Sequence, residues 1–182
     1  KSKDWDSKPP DKEYFDELFR VSKNQIIFGA NYFSRWIPPS MGWIVYDKLQ
    51  PDGVTFAMAE LAYTSFNIST KMFRTSRANM QNCVSNNAKI AINYAKRHVA
   101  QKPVQLYAWI YKTYAKAGWK IYDSHLGSGT NRIAAYKLGF DFFATEKDVD
   151  IYNDQEEYFR RQCFGEIKTE KGTLVQTNLF GV

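Results

Sequence analysis

Apolar and polar positions along this chain switch repeatedly between a helical and a strand period, and each switch marks a predicted element. After Pro9-Pro10-Asp11, residues Phe15, Leu18, Phe19 and Val21 fall on one side of a helix over roughly residues 12–22, with Asp11 placed as its N-cap. Gln25-Ile-Ile-Phe-Gly29 reads as a short buried strand, Pro38-Pro39 breaks the chain, and Gly42 to Tyr46 and Ala59 to Phe66 read as two further strands. Pro103 then opens a helix in which Leu106, Tyr107, Ile110, Tyr111 and Tyr114 recur at helical spacing. Lys120 to Asp123 is a strand, Thr130 to Leu138 a helix stopped by Gly139, Asp141 to Thr145 a strand, and Val149 to about Cys163 a helix. From Glu166 the tail is polar and is expected to be loosely held. Strand and helix signals alternate, which predicts an α/β fold.

Between about Ser69 and Arg97 the pattern breaks down. This stretch holds Lys71, Arg74, Arg77, Lys89, Lys96 and Arg97, several amides and no acidic residue. It reads as a basic insertion, and a solvated loop and a nucleic-acid contact both fit it. The whole chain is basic, with a formal net charge of +6 over 182 residues. Such a balance suits a polyanionic partner without proving one. Hydrophobic residues make up 44% of the chain and aromatics 16%, enough for a packed interior and too much for disorder. No apolar run approaches the roughly 18 residues of a membrane helix, and the start at Lys1 lacks the pattern of a signal peptide. Cys83 and Cys163 are far apart and neither lies near His98 or His125, so no metal site is expected; two free thiols fit a reducing cytoplasm.

The segment with most chemistry in it is Asp123-Ser-His-Leu-Gly-Ser-Gly129, which joins a predicted strand to a predicted helix. Glycines there let the chain turn tightly and let a ligand approach the backbone. Glu146 closes the next strand, where an acidic residue accepts hydrogen bonds from ribose hydroxyls in dinucleotide-binding folds. The loop lacks the spacing of a nucleoside-triphosphate P-loop and the full Gly-x-Gly-x-x-Gly of nicotinamide sites.

At these residues the chain resembles the amino-directed (adenine-N6 or cytosine-N4) DNA methyltransferases. Asp123-Ser-His-Leu-Gly-Ser-Gly-Thr130 is similar to their Asp-x-Phe-x-Gly-Ser-Gly-Thr loop, and His98-Val-Ala-Gln-Lys-Pro103 to their His-Pro-Thr-Gln-Lys-Pro segment. The order of these pieces matches the beta-type arrangement. Asn24 to Phe33 and Gly42 to Lys48 resemble the phage and prophage members. The resemblance covers roughly residues 4–165 and implies a Rossmann-like, three-layer fold with a mostly parallel mixed sheet, a methyltransferase domain over 1–168 and a flexible tail over 169–182.

It also implies S-adenosylmethionine as cofactor, held by Lys102, Pro103, Asp123, His125, Leu126, Gly127, Ser128, Gly129, Glu146 and Lys147. The substrate implied is double-stranded DNA, contacted by Arg74, Arg77, Lys89, Lys96 and Arg97, with a flipped base methylated on its amino group and adenine favoured over cytosine. The setting implied is DNA methylation in a restriction-modification context, in the cytoplasm of a bacterium or of a phage's bacterial host. Two departures stand out: Val99-Ala100 replaces Pro-Thr, and His125-Leu126 replaces an aromatic-x pair.

The family's catalytic Asp/Asn/Ser-Pro-Pro-aromatic tetrapeptide has no counterpart here. Lys8-Pro9-Pro10-Asp11 holds the prolines but neither the acceptor nor the ring, and reads as a helix start. The catalytic residues are therefore unassigned. The expectation is that an upstream piece of the natural protein is absent from this sequence; the alternative is a non-catalytic DNA-binding or partner subunit that keeps the fold. Near the end, Gln176-Thr-Asn-Leu-Phe180 resembles short peptides that dock on bacterial sliding clamps, with Leu179 and Phe180 as the anchors. Asn31-Tyr32-Phe33 fits either rim packing or an active-site mouth, and Asp47 and Lys48 fit surface ion pairs.

Overall fold

A computed structural model describes residues 9–76, 101–169 and 172–175. The chain divides into two compact units, Lys1–Arg77 and Ala78–Val182. Among the described residues no helix is long and apolar enough to cross a membrane.

In the first unit, helix α1 (Lys12–Val21) begins where the sequence predicts. The Asp11 carboxylate accepts the Tyr14 backbone N–H at 3.3 Å and caps the first turn. Phe15 is the fully buried residue of this helix, and its ring meets Phe33 with centroids 5.3 Å apart. Strands β1 (Ile26–Phe28), β2 (Trp43–Asp47), β3 (Ala59–Thr64) and β4 (Lys71–Arg74) form one sheet in the order β1-β3-β2-β4. The β1–β3 and β2–β3 pairs are antiparallel and β2–β4 is parallel, so the sheet is mixed. Along β2 the burial alternates, which puts Ile44 and Tyr46 in the core and their neighbours at its margin.

Gly42 is required at the start of this strand. A Cβ there would lie 2.5 Å from Thr64 Oγ1 and 2.7 and 2.8 Å from the carbonyl oxygens of Phe66 and Ile68. No side chain fits without moving backbone.

Strand β4 corrects one expectation, that Lys71–Arg74 belongs to a basic insertion. It is an edge strand whose inward contact is Phe73, packed beside Tyr46 with centroids 6.0 Å apart. One inward ring flanked by exposed residues is too short a pattern to show a period of two. The rest of the basic stretch, from Arg77 to Arg97, lies outside the described residues.

The second unit runs α2 (Val104–Tyr114), β5 (Lys120–Asp123), α3 (Thr130–Lys137), β6 (Asp141–Ala144), α4 (Val149–Phe164), β7 (Glu166–Thr169) and β8 (Gly172–Val175). Strands β5 and β6 are parallel, so β5-α3-β6 is a βαβ unit and the connection between its strands is helical. Helix α3 packs against both α2 and α4. Its small buried residues Ala134 and Ala135 allow close approach, while Ile133 joins Tyr158 and Phe159 of α4 in a cluster closed by Val104 and Cys163. Asp148 caps α4 by accepting the Asp150 and Ile151 N–H groups, and Gly165 ends it in the left-handed conformation.

The chain after Gly165 is a second departure from expectation. Glu166–Thr169 and Gly172–Val175 pair antiparallel as a hairpin, where the sequence suggests a loosely held tail. The four residues of β8 are all exposed, so no apolar alternation announces the strand. The segment Gln176 to Phe180 lies outside the described residues.

Candidate functional site

The loop from Asp123 to Gly129 is built by two strand ends and one helix start. The parallel pairing of β5 with β6 continues past the strands: Thr145 N donates to Asp123 O and Leu126 N donates to Thr145 O, both at 3.0 Å. Gly127 and Gly129 both take positive φ, 54° and 73°, and Gly129 leads directly into α3. Beneath Gly129 lies Gln155 of α4, itself only 1% exposed; its Oε1 is 2.9 Å from where a Gly129 Cβ would sit. The backbone of the loop is thus fixed from below by a buried amide, which is held in turn by Arg132 Nη1 at 3.1 Å.

The hydrogen bonds of the loop amides decide what it can bind. His125 N donates to Asp123 Oδ1 at 3.0 Å, Gly127 N to Glu146 Oε2 at 2.9 Å, and Gly129 N to Leu126 O at 3.1 Å. With Leu126 N on Thr145 O, four amides are committed to acceptors within the chain. A phosphate cradle needs such amides turned towards the ligand. This loop instead shows carboxylate oxygens at its margins.

Those carboxylates belong to Asp123 and Glu146. Asp123 Oδ2 also accepts Asn131 Nδ2 at 2.8 Å, and Glu146 Oε1 accepts Asp148 N at 2.9 Å. Every one of these donors is neutral. Among the described residues neither carboxylate is in an ion pair. Two negative charges therefore flank the loop with acceptor capacity to spare, since a carboxylate offers about four lone-pair positions. Behind Asp123, Asn131 Oδ1 accepts the Tyr111 hydroxyl of α2. Burial first, and then the Asp123 charge, push the Tyr111 phenol far above its ordinary value, with its hydrogen bond to Asn131 opposing.

The other sequence-predicted residues are distributed as follows. Leu126 is buried and serves packing, whereas His125 is exposed with Nδ1 2.9 Å from Ser124 Oγ. Ser128 is half-buried, 3.5 Å from the Thr130 hydroxyl, a marginal contact. Lys147 is exposed next to Glu146. Pro103 is buried at the start of α2 and Lys102 is half-buried before it. What links that end to the loop is α2 itself, through Tyr111.

Arg74 lies at the end of β4 and pairs with Asp47 at 3.2 Å. Arg77, Lys89, Lys96 and Arg97 lie outside the described residues. Lys48 and Asp47 are ion-paired, with Glu60 and Arg74 respectively. Phe33 packs on Phe15, while its neighbour Tyr32 is exposed.

Sequence reasoning missed Asn131, Tyr111 and Gln155. Asn131 follows the glycine loop by two positions and is polar where a helix turns inwards, a usable signal. Tyr111 is hidden in an apolar stripe, where its hydroxyl looks incidental.

No family model matches the sequence, and no curated protein matches it. Solved structures do match. TTHA0409 of Thermus thermophilus, a candidate DNA modification methylase complexed with S-adenosyl-L-methionine, aligns over 83% of this chain and 75% of its own, with a TM-score of 0.54 and 13% identity. The M1.HpyAVI complex with S-adenosyl-L-methionine aligns over 81% of this chain and 84% of its own, with a TM-score of 0.56 and 14% identity. At such identity the likeness is one of fold, and the chain shares the α/β, mixed-sheet fold of these methylase structures.

Proposed function

We propose that this chain is the S-adenosylmethionine-binding part of a DNA methyltransferase that methylates an exocyclic amino group of a flipped base, adenine in preference to cytosine. The observation that carries the reading is the inverted polarity of the glycine loop. Four of its amides are spent internally, and it is bordered by two carboxylates that are in no ion pair among the described residues. That polarity disfavours a phosphate against these carboxylates and suits a ligand with hydroxyl donors and positive charge. S-Adenosylmethionine has both: ribose hydroxyls for Glu146, and an ammonium and a sulfonium for the Asp123 side. When bound, it supplies an electrophilic methyl group.

This chain's residues bind and orient. Gly127 and Gly129 keep the floor of the site open, Gln155 fixes its height, and Leu126 closes the packing behind it. Two crystal structures of the same fold that hold S-adenosyl-L-methionine support the cofactor, and the methylase description of one supports DNA as substrate. On this reading Lys102, Pro103, His125, Ser128 and Lys147 complete the cofactor pocket, and residues 1–168 belong to a Rossmann-like methyltransferase domain. Arg74, Arg77, Lys89, Lys96 and Arg97 contact double-stranded DNA, and Gln176 to Phe180 docks on a sliding clamp. The setting is a bacterial cytoplasm, with the protein encoded by the host or a phage.

Calorimetric titration tests the core of this. S-Adenosylmethionine is expected to bind and ATP not to; the reverse order would overturn the reading. A second reading rests on a specific observation: no Pro-Pro-aromatic tetrapeptide occurs in the 182 residues. A fold-retaining DNA-binding subunit would bind DNA yet incorporate no methyl groups when assayed with tritiated cofactor on phage or bacterial DNA. Incorporation supports the enzyme.

A further inference from the structure

Behind the loop, Tyr111 on α2 and Asn131 on α3 form a relay that ends on Asp123. The Tyr111 side chain is nearly sealed, 5% exposed, and its ring rests against Phe140 with centroids 5.3 Å apart. An asparagine amide has a donor end and an acceptor end, and the sequence does not choose which faces a neighbour. Here both neighbours choose. The phenol O–H donates a hydrogen bond to Asn131 Oδ1, and this leaves Nδ2 to donate to Asp123 Oδ2 at 2.8 Å. Were the amide reversed, its oxygen would face the carboxylate and its NH2 the phenol, and the contact with Asp123 would repel. The phenol remains a donor because burial and the nearby carboxylate charge oppose its ionisation.

The relay differs from a salt bridge in what it leaves behind. Arginine at position 131 could hold Asp123 as well, but would cancel its charge. Two neutral N–H donors, from Asn131 and the His125 backbone, fix the carboxylate while its full negative charge survives. We propose that Tyr111 and Asn131 are positioning residues that hold Asp123 as an uncompensated anion for a cationic group of the ligand. Resting on the S-adenosylmethionine reading, this assigns to the relay the recognition of the charged, amino-acid end of the cofactor rather than its nucleoside.

The test compares Tyr111→Phe, which keeps the ring packing, and Asn131→Leu with the parent. Dissociation constants are measured for S-adenosylmethionine and for 5′-methylthioadenosine, which carries the same nucleoside and a neutral sulfur but no ammonium. Thermal unfolding is recorded alongside; if Asn131→Leu does not fold, Tyr111→Phe alone decides. Both variants are expected to bind S-adenosylmethionine roughly tenfold more weakly, the scale of one weakened charge-assisted contact, while affinity for methylthioadenosine stays at the parent's value. Unchanged affinity for both ligands, or equal loss for both, overturns the proposal and leaves the cofactor reading standing. A parent chain that binds neither ligand overturns the cofactor reading itself.

Discussion

Two loops in this molecule begin alike and end differently. In the first unit, β1 runs into Gly29, which takes a positive φ of 70° and starts the short turn Ala30–Tyr32. In the second, β5 runs into a loop whose Gly127 and Gly129 take φ of 54° and 73°. Both loops are tied to a neighbouring strand, the first by Gly29 N on Leu61 O at 2.9 Å and the second by Leu126 N on Thr145 O at 3.0 Å. The anchors then diverge. The first turn is fastened by apolar contact, with Ala30 wholly buried and Phe33 on Phe15. The second is fastened by the carboxylates of Asp123 and Glu146 on backbone amides. An apolar anchor uses itself up in packing. A carboxylate anchor keeps its charge, so the second loop is a joint that, on the proposed reading, also serves as a binding surface.

That contrast can be broken at either end. The largest effect is expected from Phe15→Ala, which empties the packing under the first turn and should cost about 3–5 kcal/mol of stability in denaturant unfolding. Next comes Gly129→Ala, where the added Cβ meets Gln155 Oε1 at 2.9 Å and the φ of 73° disfavours any side chain. We expect a loss of roughly 1–3 kcal/mol, with S-adenosylmethionine binding falling out of calorimetric range; parental affinity would show that the loop floor does not matter.

Asp123→Asn sharpens the comparison, because it removes charge and little else. It should cost about 1 kcal/mol or less in stability, one altered hydrogen bond, yet weaken S-adenosylmethionine binding at least tenfold. A stability loss without an affinity loss would make Asp123 a joint only.

Alkaline unfolding offers a further probe of the first unit. Burial, and then the Glu60 charge, raise the Tyr46 phenol to about 12. The folded state thus keeps a proton that the unfolded chain loses at its ordinary value near 10. Stability is full below that value and declines as pH climbs from there to about 12. Tyr46→Phe should flatten this part of the pH profile; an unaltered slope would deny Tyr46 the effect. The smallest change is expected from Arg74→Ala, which should reduce the slope of log affinity against log salt for duplex DNA by about 1. Its pairing with Asp47 already occupies part of its charge, and an equal slope would remove Arg74 from the DNA contacts.

The sequence alone carried most of the element plan. Asp11, Pro103 and Gly139 punctuate helices where caps and breakers are local, so the physics acts within a few residues. It failed where the signal depends on partners: β4 has one inward ring, and β7–β8 has an exposed second strand. The site divides in the same way. Asp123, the two glycines and Glu146 could be named from a strand-loop-helix pattern, because a sharp turn between strand and helix leaves a local trace. That Glu146 turns back onto Gly127, that Gln155 sits under Gly129, and that Tyr111 sets the amide of Asn131 were decided by tertiary structure. These contacts join residues 19 positions apart for Gly127 and Glu146, 20 for Tyr111 and Asn131, and 26 for Gly129 and Gln155. Hydrogen-bond direction and leftover charge become fixed only when the helices and strands that carry them pack together.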